Sequence, residues 1–254
     1  PSRLIFDLQS QEAENKFRYE HTARLKNYKI AYGVNYEFAN YTTETINQFT
    51  TPDGVQRINY NSLVNLHKYG LFTQVSKGFF EEKLNLSLGF RADGNSFNKN
   101  MSNPFKQFSP RFSASYNVTK AFTINFNTGL YYQMPAYTTI GYRNNENELQ
   151  NKQTLKYINN KQVVFGLAYN TSFYTKFAVE GFFKKYSNYP MSITKGISLA
   201  NLGGFFGTVG DEPVASNSEG RTYGFEMSVQ QKLYKGLYSI LTYTYFNSAF
   251  TDTS

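Results

Sequence analysis

The feature that most constrains this chain is strict alternation. In Phe122–Gln133, Phe122, Ile124, Phe126, Leu130 and Tyr132 are apolar, with Thr128 the exception. Thr123, Asn125, Asn127 and Gly129 between them are polar or small. A period of two puts one class of side chain on each face of a strand. Leu84, Leu86, Leu88 and Phe90 form a second such row, and Tyr28 to Phe38 a third. Counting these rows predicts about ten strands, near 12–24, 28–48, 60–78, 84–95, 107–117, 122–133, 161–170, 174–187, 221–233 and 237–250. No sustained helical periodicity competes, and the segments are rich in the aromatic and β-branched residues that strands favour.

The connections carry a second rhythm. Short joins near 25–27, 79–83, 118–121, 171–173 and 234–236 alternate with long ones near 49–59, 96–106, 134–160 and 188–220. A soluble sandwich has no need of that order. A transmembrane barrel has it by construction, with tight turns at one end and long loops at the other. Most segments also have the length of a tilted spanning strand. Lipid offers no hydrogen-bond partners, so a strand-built membrane protein must close its sheet. The fold expected is therefore all-β, an antiparallel transmembrane β-barrel, with apolar rows toward lipid and polar rows toward the lumen.

Composition agrees. The chain holds 22 Tyr and 24 Phe with only 17% charged residues, which excludes a disordered chain. With no Cys, disulfides and cysteine-ligated metals are excluded. No apolar run reaches the length of a membrane helix. A mean hydropathy of −0.52 fits a membrane protein whose strands are half polar. The net charge of +8 is dispersed, and its tightest cluster is Lys184-Lys185. A nucleic-acid face needs a concentrated stripe, so no nucleic-acid partner is expected. A solvated surface, or attraction to an anionic membrane, accounts for the charge. Residues 1–12 carry no signal-peptide pattern, and both ends read as cuts through a longer protein.

Several stretches, in order, resemble the barrel of TonB-dependent outer-membrane transporters. They are Tyr69-Gly-Leu-Phe-Thr-Gln-Val75 with Lys83–Arg91, then Phe108-Ser-Pro-Arg-Phe-Ser-Ala-Ser-Tyr116 with Phe122–Pro135. Val163–Tyr169 with Phe177–Tyr186, and Gly224-Phe-Glu-Met-Ser228, complete the set. The Phe-Phe-Lys-Lys-Tyr and Tyr-Pro wording around 182–190 is most similar to Bacteroidetes-type members. The resemblance implies a barrel of about 22 strands enclosing a plug. Residues 1–254 are then one wall segment, with plug and C-terminal closing strands absent. It further implies active uptake of a scarce nutrient, a glycan or oligosaccharide, peptide, siderophore or vitamin complex. The TonB–ExbB–ExbD complex would supply the energy through the missing plug. The starch-utilisation-like branch would add a surface lipoprotein partner, and the barrel wall would meet outer-membrane lipid and lipopolysaccharide. No enzyme activity or cofactor is expected.

Function tends to live on loops, so the long joins supply the ligand candidates. These are Tyr137, Tyr142, Arg143, Asn144 and Asn145 in 134–160, and Tyr189, Asn201, Phe205, Phe206 and Asp211 in 188–220. Aromatic faces can stack on sugar or peptide groups while Arg, Asn and Asp direct hydrogen bonds. In the lumen, Arg91, Arg111 and Glu180 are candidates for facing the plug. The equal alternative makes Arg91 and Arg111 plain wall charges that pair with Asp93 or Glu180. Two rival readings remain. One is a complete ten-stranded outer-membrane protease, for which only His67 lies near the rim. The other is a passive pore or autotransporter barrel, which would normally close with its own C-terminal aromatic.

Overall fold

A computed structural model of the chain describes residues 5–51, 54–144, 146–171, 174–202 and 209–251. Ten strands form one sheet in sequence order: β1 Phe6–Leu25, β2 Tyr28–Thr51, β3 Gly54–Phe79, β4 Leu84–Asn95 and β5 Phe108–Asn117, then β6 Phe122–Gln133, β7 Ile158–Asn170, β8 Thr175–Ser192, β9 Val214–Tyr234 and β10 Leu237–Thr251. Every neighbouring pair is antiparallel. The sheet is open in this segment, with β1 and β10 as its edges.

The two faces differ as the alternation requires. Tyr19, Val34 and Leu71 lie opposite one another on β1, β2 and β3, and each is about half exposed. Val163, Phe183 and Tyr223 repeat this on β7, β8 and β9. A sheet that leaves such a row uncovered needs an apolar environment on that side. The other face carries Asn35, Gln74, Ser87 and Arg91, joined by hydrogen bonds such as Gln74 Nε2 to Ser87 Oγ at 2.8 Å.

At one end the turns are tight. Lys235 and Gly236 both take positive φ, the geometry of a two-residue hairpin that matches strand twist. At the other end the strands outrun expectation. The join expected over 49–59 is instead the tip of a hairpin, whose ladder runs to Thr51 opposite Gly54. β8 likewise reaches Ser192, and β9 starts at Val214. The inner row there, Ala39, Tyr41, Thr43 and Thr45 on β2 with Tyr60, Ser62, Val64 and Leu66 on β3, is buried beneath the connections. That burial keeps the ladder ordered beyond the lipid-facing band.

Candidate functional site

The connections at the long end collapse into a single lobe against the inner face of β2 and β3. Its core joins Tyr41, Val64 and Leu66 of the wall to Phe97 and Met101, Ile140, Leu155 and Tyr157, and Leu199 and Val214. These come from all three long connections and the start of β9. No single connection could bury an apolar face alone, so each depends on the others.

Three amides fasten the pieces, Asn95 and Asn151 buried and Asn98 half-buried. Asn98 caps helix α1 (Lys99–Ser102), accepting from Asn100 N and Met101 N at 2.9 Å. Its amide nitrogen donates to Lys152 O and Leu155 O at 2.8 and 3.0 Å. Asn95 donates to the Tyr157 hydroxyl at 2.9 Å. Asn151 donates to Thr139 O and Glu212 O and accepts from Val214 N, at 2.8, 3.0 and 2.9 Å.

An ionic cluster fixes helix α2 (Tyr137–Ile140) to the wall. Lys68 of β3 bonds to Glu37 of β2 and lies 2.9 Å from Glu14 of β1. Lys16 reaches Glu14 at 2.5 Å and Glu37 at 3.6 Å. Tyr137 donates to Glu14 Oε1 at 2.9 Å, lies 5.0 Å from the Lys68 ammonium and stacks on Tyr41 at 5.4 Å.

The predicted loop residues divide. Tyr142 is buried edge-on against Tyr60, 5.6 Å between rings. Asp211 is also buried in the lobe. Arg143 is half-buried and donates to Ser62 Oγ at 3.2 Å and Asn147 O at 2.6 Å. Asn144 orders its own turn, its carbonyl oxygen accepting from Glu146 N and Glu148 N. Asn144 and Asn147 also line an open cavity of about 290 Å³ with Asn59, Tyr60 and Asn61. Tyr189 packs on Phe250 at 4.8 Å, and Asn201 donates to Phe250 O at 3.0 Å, so this pair sits by β10, away from that cavity. Asn145, Phe205 and Phe206 lie outside the described residues.

In the lumen Arg91 holds Asp93 through two bonds of 2.6 and 2.7 Å and reaches Asn35 Oδ1 at 3.2 Å. Arg111 donates to Ser109 Oγ at 3.2 Å and covers the Tyr131 ring at 4.4 Å. Glu180 lies apart from both, opposite Glu226 of β9, on a cavity of about 270 Å³ lined by Ser76, Ser87, Ser113, Asn125 and Asn127. His67 stands opposite Phe38, its ring against Phe38 and its Nδ1 2.8 Å from the Tyr36 hydroxyl. Tyr36 belongs to the exposed outer row, so His67 faces away from the lumen. Among the described residues, no three His, Cys, Asp or Glu cluster as a metal site.

Sequence reasoning missed Glu14, Glu37, Lys68, Asn98 and Asn151. A signal existed for the first three. Glu37 and Lys68 are charges set in the inward rows of long strands, and a register would have brought them together.

Burial raises the hydroxyl pKa of Tyr137 and of Tyr157, each to about 12 from 10.0, and raises that of Tyr142 with help from the Asp211 and Glu212 charges. A folded-state pKa raised above the unfolded value contributes stability that is complete below about pH 10. That stability is lost as pH passes through about 12. The lobe should loosen in this window. Tyrosinate absorbance should show late-titrating hydroxyls that disappear in Tyr137→Phe and Tyr157→Phe, whereas their titration near pH 10 would contradict the buried placement.

An open wall of antiparallel strands, apolar outside and polar inside, with long connections packed over its inner face at one end, defines a segment of an outer-membrane β-barrel. The family described as "TonB dependent receptor-like, beta-barrel" matches residues 3–254, and the chain belongs to it. The protein is thus an outer-membrane protein of a receptor family, not of an enzyme family. No curated protein sequence matches it. Among solved structures it is similar to the copper transporter OprC, with 16% identity, a TM-score of 0.64, and coverage of 95% of this chain and 38% of that one. The pyoverdine receptor FpvA of Pseudomonas aeruginosa PAO1, bound to pyoverdine, gives 12%, 0.64, 96% and 36%. The ferric yersiniabactin uptake receptor FyuA of Yersinia pestis gives 10%, 0.63, 97% and 37%. The chain therefore spans little more than a third of these structures.

Proposed function

We propose that the protein carries out TonB-dependent uptake of a scarce nutrient, and that the long-connection lobe faces outward and meets the ligand. The observation that carries this is the gathering of every long connection into one lobe at the same end of the barrel wall. The remaining wall strands and a plug belong to the rest of the protein, and TonB with ExbB and ExbD acts on that plug. Arg91, Arg111 and Glu180 would face it from the lumen.

The cavity at the tip of β2–β3 favours a neutral, hydroxyl-rich ligand. Four amides and one phenol line it with no charged group, a set that suits an oligosaccharide, with Arg143 beside it. The Phe-Phe-Lys-Lys-Tyr wording supports the Bacteroidetes-type branch, in which a surface lipoprotein would close over the same loops. A chelated metal is the second reading, favoured by the fold shared with receptors named for copper, pyoverdine and ferric yersiniabactin.

The test is uptake by cells carrying the full-length protein, with and without TonB. Labelled oligosaccharides, peptides, ferric siderophores and corrinoids would be offered in turn. Oligosaccharide accumulation that needs TonB and falls at least tenfold in Arg143→Ala and Asn144→Ala, at equal surface level, is expected. Chelate uptake unaffected by both substitutions would move the site elsewhere and favour the second reading. Uptake of any class without TonB would overturn the proposal.

A further inference from the structure

At the long-connection end β3 outruns its neighbour β4. Its ladder with β2 runs unbroken from Tyr28 opposite Lys77 to Thr51 opposite Gly54, whereas its ladder with β4 stops at Lys68 opposite Asn95. One further residue is held on the β4 side. His67 O accepts from Ser96 N at 3.0 Å, and His67 N donates to Ser96 Oγ at 3.0 Å. The chain then turns into helix α1 and leaves. Successive peptide groups of a strand point to alternate neighbours. With both groups of His67 turned toward β4, those of Val55, Arg57, Asn59, Asn61, Leu63 and Asn65 point the same way. Among the described residues none of them has a backbone partner there.

The free edges of the sheet are β1 and β10, so the remaining wall strands join there and none is left to cover this stretch of β3. Natural sheets guard a bare edge with Pro, Lys or a bulge. Residues 55–65 contain no Pro and no Lys, and the β2–β3 register has no shift. The inward side chains Tyr60, Ser62 and Val64 are buried beneath the lobe, which holds the edge in place. The cavity lined by Asn59, Tyr60 and Asn61 also opens on it, because three successive residues border one space only along a strand's edge. Arg57, the one charged residue in 55–65, is exposed and makes no ion pair among the described residues. The edge lies in the plane of the wall and does not open into the lumen, which suits a docked partner and not cargo in transit.

We propose that this edge takes an extended, acidic segment of a partner protein at the cell surface as an added antiparallel strand. The segment follows the line of β4 toward the hairpin tip, its main chain bonded to the outward groups of Val55–Asn65. An apolar side chain lies opposite Leu63, and a carboxylate near the segment's C-terminal end lies opposite Arg57. The added strand gives the cavity at Asn59–Asn61 a further wall. Only the placement at the cell surface rests on the uptake reading above; the strand addition does not.

The probe is a labelled peptide of alternating valine and threonine, as long as Val55–Asn65, with two glutamates at its C-terminal end. Its binding to the full-length protein in detergent is read by fluorescence anisotropy. A version with N-methylated amides, and one with lysines for the glutamates, should each bind at least tenfold more weakly. Leu63→Pro removes only a donor that faces the bare edge, where strands tolerate Pro, and should cost at least tenfold. Leu63→Val keeps that donor and should bind within about threefold of the unsubstituted protein. Arg57→Gln should bind the glutamate and lysine peptides alike. Amide exchange should be fast at Asn61 and Leu63 and slow at Tyr60 and Ser62, which bond to β2, and the peptide should slow the first two. Slow exchange at Tyr60 and Ser62 in Leu63→Pro verifies that its hairpin persists. Slow exchange at Asn61 and Leu63 before peptide is added would show that the full-length chain covers its own edge, and would overturn the proposal. So would equal binding of the N-methylated peptide, full binding by Leu63→Pro, or TonB-dependent accumulation of the peptide in cells, which would make it cargo.

Discussion

Replacing Asn151 by leucine should open the loop lobe while leaving the barrel wall intact. Asn151 is 1% exposed and satisfies three backbone groups at once, Thr139 O, Glu212 O and Val214 N. Leucine has similar volume but leaves all three without that partner. Each unsatisfied buried group costs about 1–3 kcal/mol, so the lobe should lose about 3 kcal/mol or more of local stability. That is at least a hundredfold rise in the open fraction, seen as faster amide exchange at Ile140 and Val214. Exchange in β5 and β6 should not change. Asn151→Asp keeps the acceptor for Val214 N but turns a buried carboxylate oxygen onto Thr139 O and Glu212 O, so it should open the lobe at least as far. Unchanged exchange at Val214 in the leucine variant would show that the lobe is held otherwise.

Lys68→Met should release helix α2 from the wall. Lys68 is the cation shared by Glu14 of β1 and Glu37 of β2, and its ammonium faces the Tyr137 ring. Its side chain is 20% exposed and those of the carboxylates 26% and 17%. Removing one partner of a buried pair costs about 3–5 kcal/mol, and partial exposure with Lys16 still in place reduces this to about 2 kcal/mol. Much of that cost is the two carboxylates left facing each other. Adding Glu14→Gln and Glu37→Gln to Lys68→Met should therefore restore most of the loss. Protection of residues 137–141 against proteolysis would read both effects. A triple variant no better than Lys68→Met would show that packing of the lysine stem, not charge, holds the helix.

The two faces explain what could be read from sequence. Where a strand crosses lipid, every second residue must be apolar, so rows such as Leu84 to Phe90 are visible without any partner. Beyond the lipid band that demand stops. Tyr41, Thr43 and Thr45 are inward and buried because connections cover them, and nothing in their own spacing says so. Hence β2 and β3 were expected to end sooner than Thr51 and Gly54. The lobe was harder still. Met101, Ile140, Leu155 and Val214 meet from separate connections, and no periodicity links them. Tyr142 and Asp211 look like binding groups in an exposed loop, yet both are buried within the lobe. Asn144 keeps a place on an open cavity because its turn is built from its own side chain.

Residues 1–254 contain no Cys, so single-cysteine variants of the full-length protein, with any cysteine outside these residues replaced by serine, test the account's central claim, that the long-connection lobe faces the outside of the cell. Glu146→Cys lies in the β6–β7 connection and Lys235→Cys in the β9–β10 turn, and both positions are exposed. Intact cells would be treated with a maleimide carried on a bulky polymer that cannot cross the outer membrane. Labelling at residue 146 in intact cells, with residue 235 reacting only after the membrane is permeabilised, is the predicted result. Labelling of residue 235 from outside, with residue 146 protected, would contradict the account.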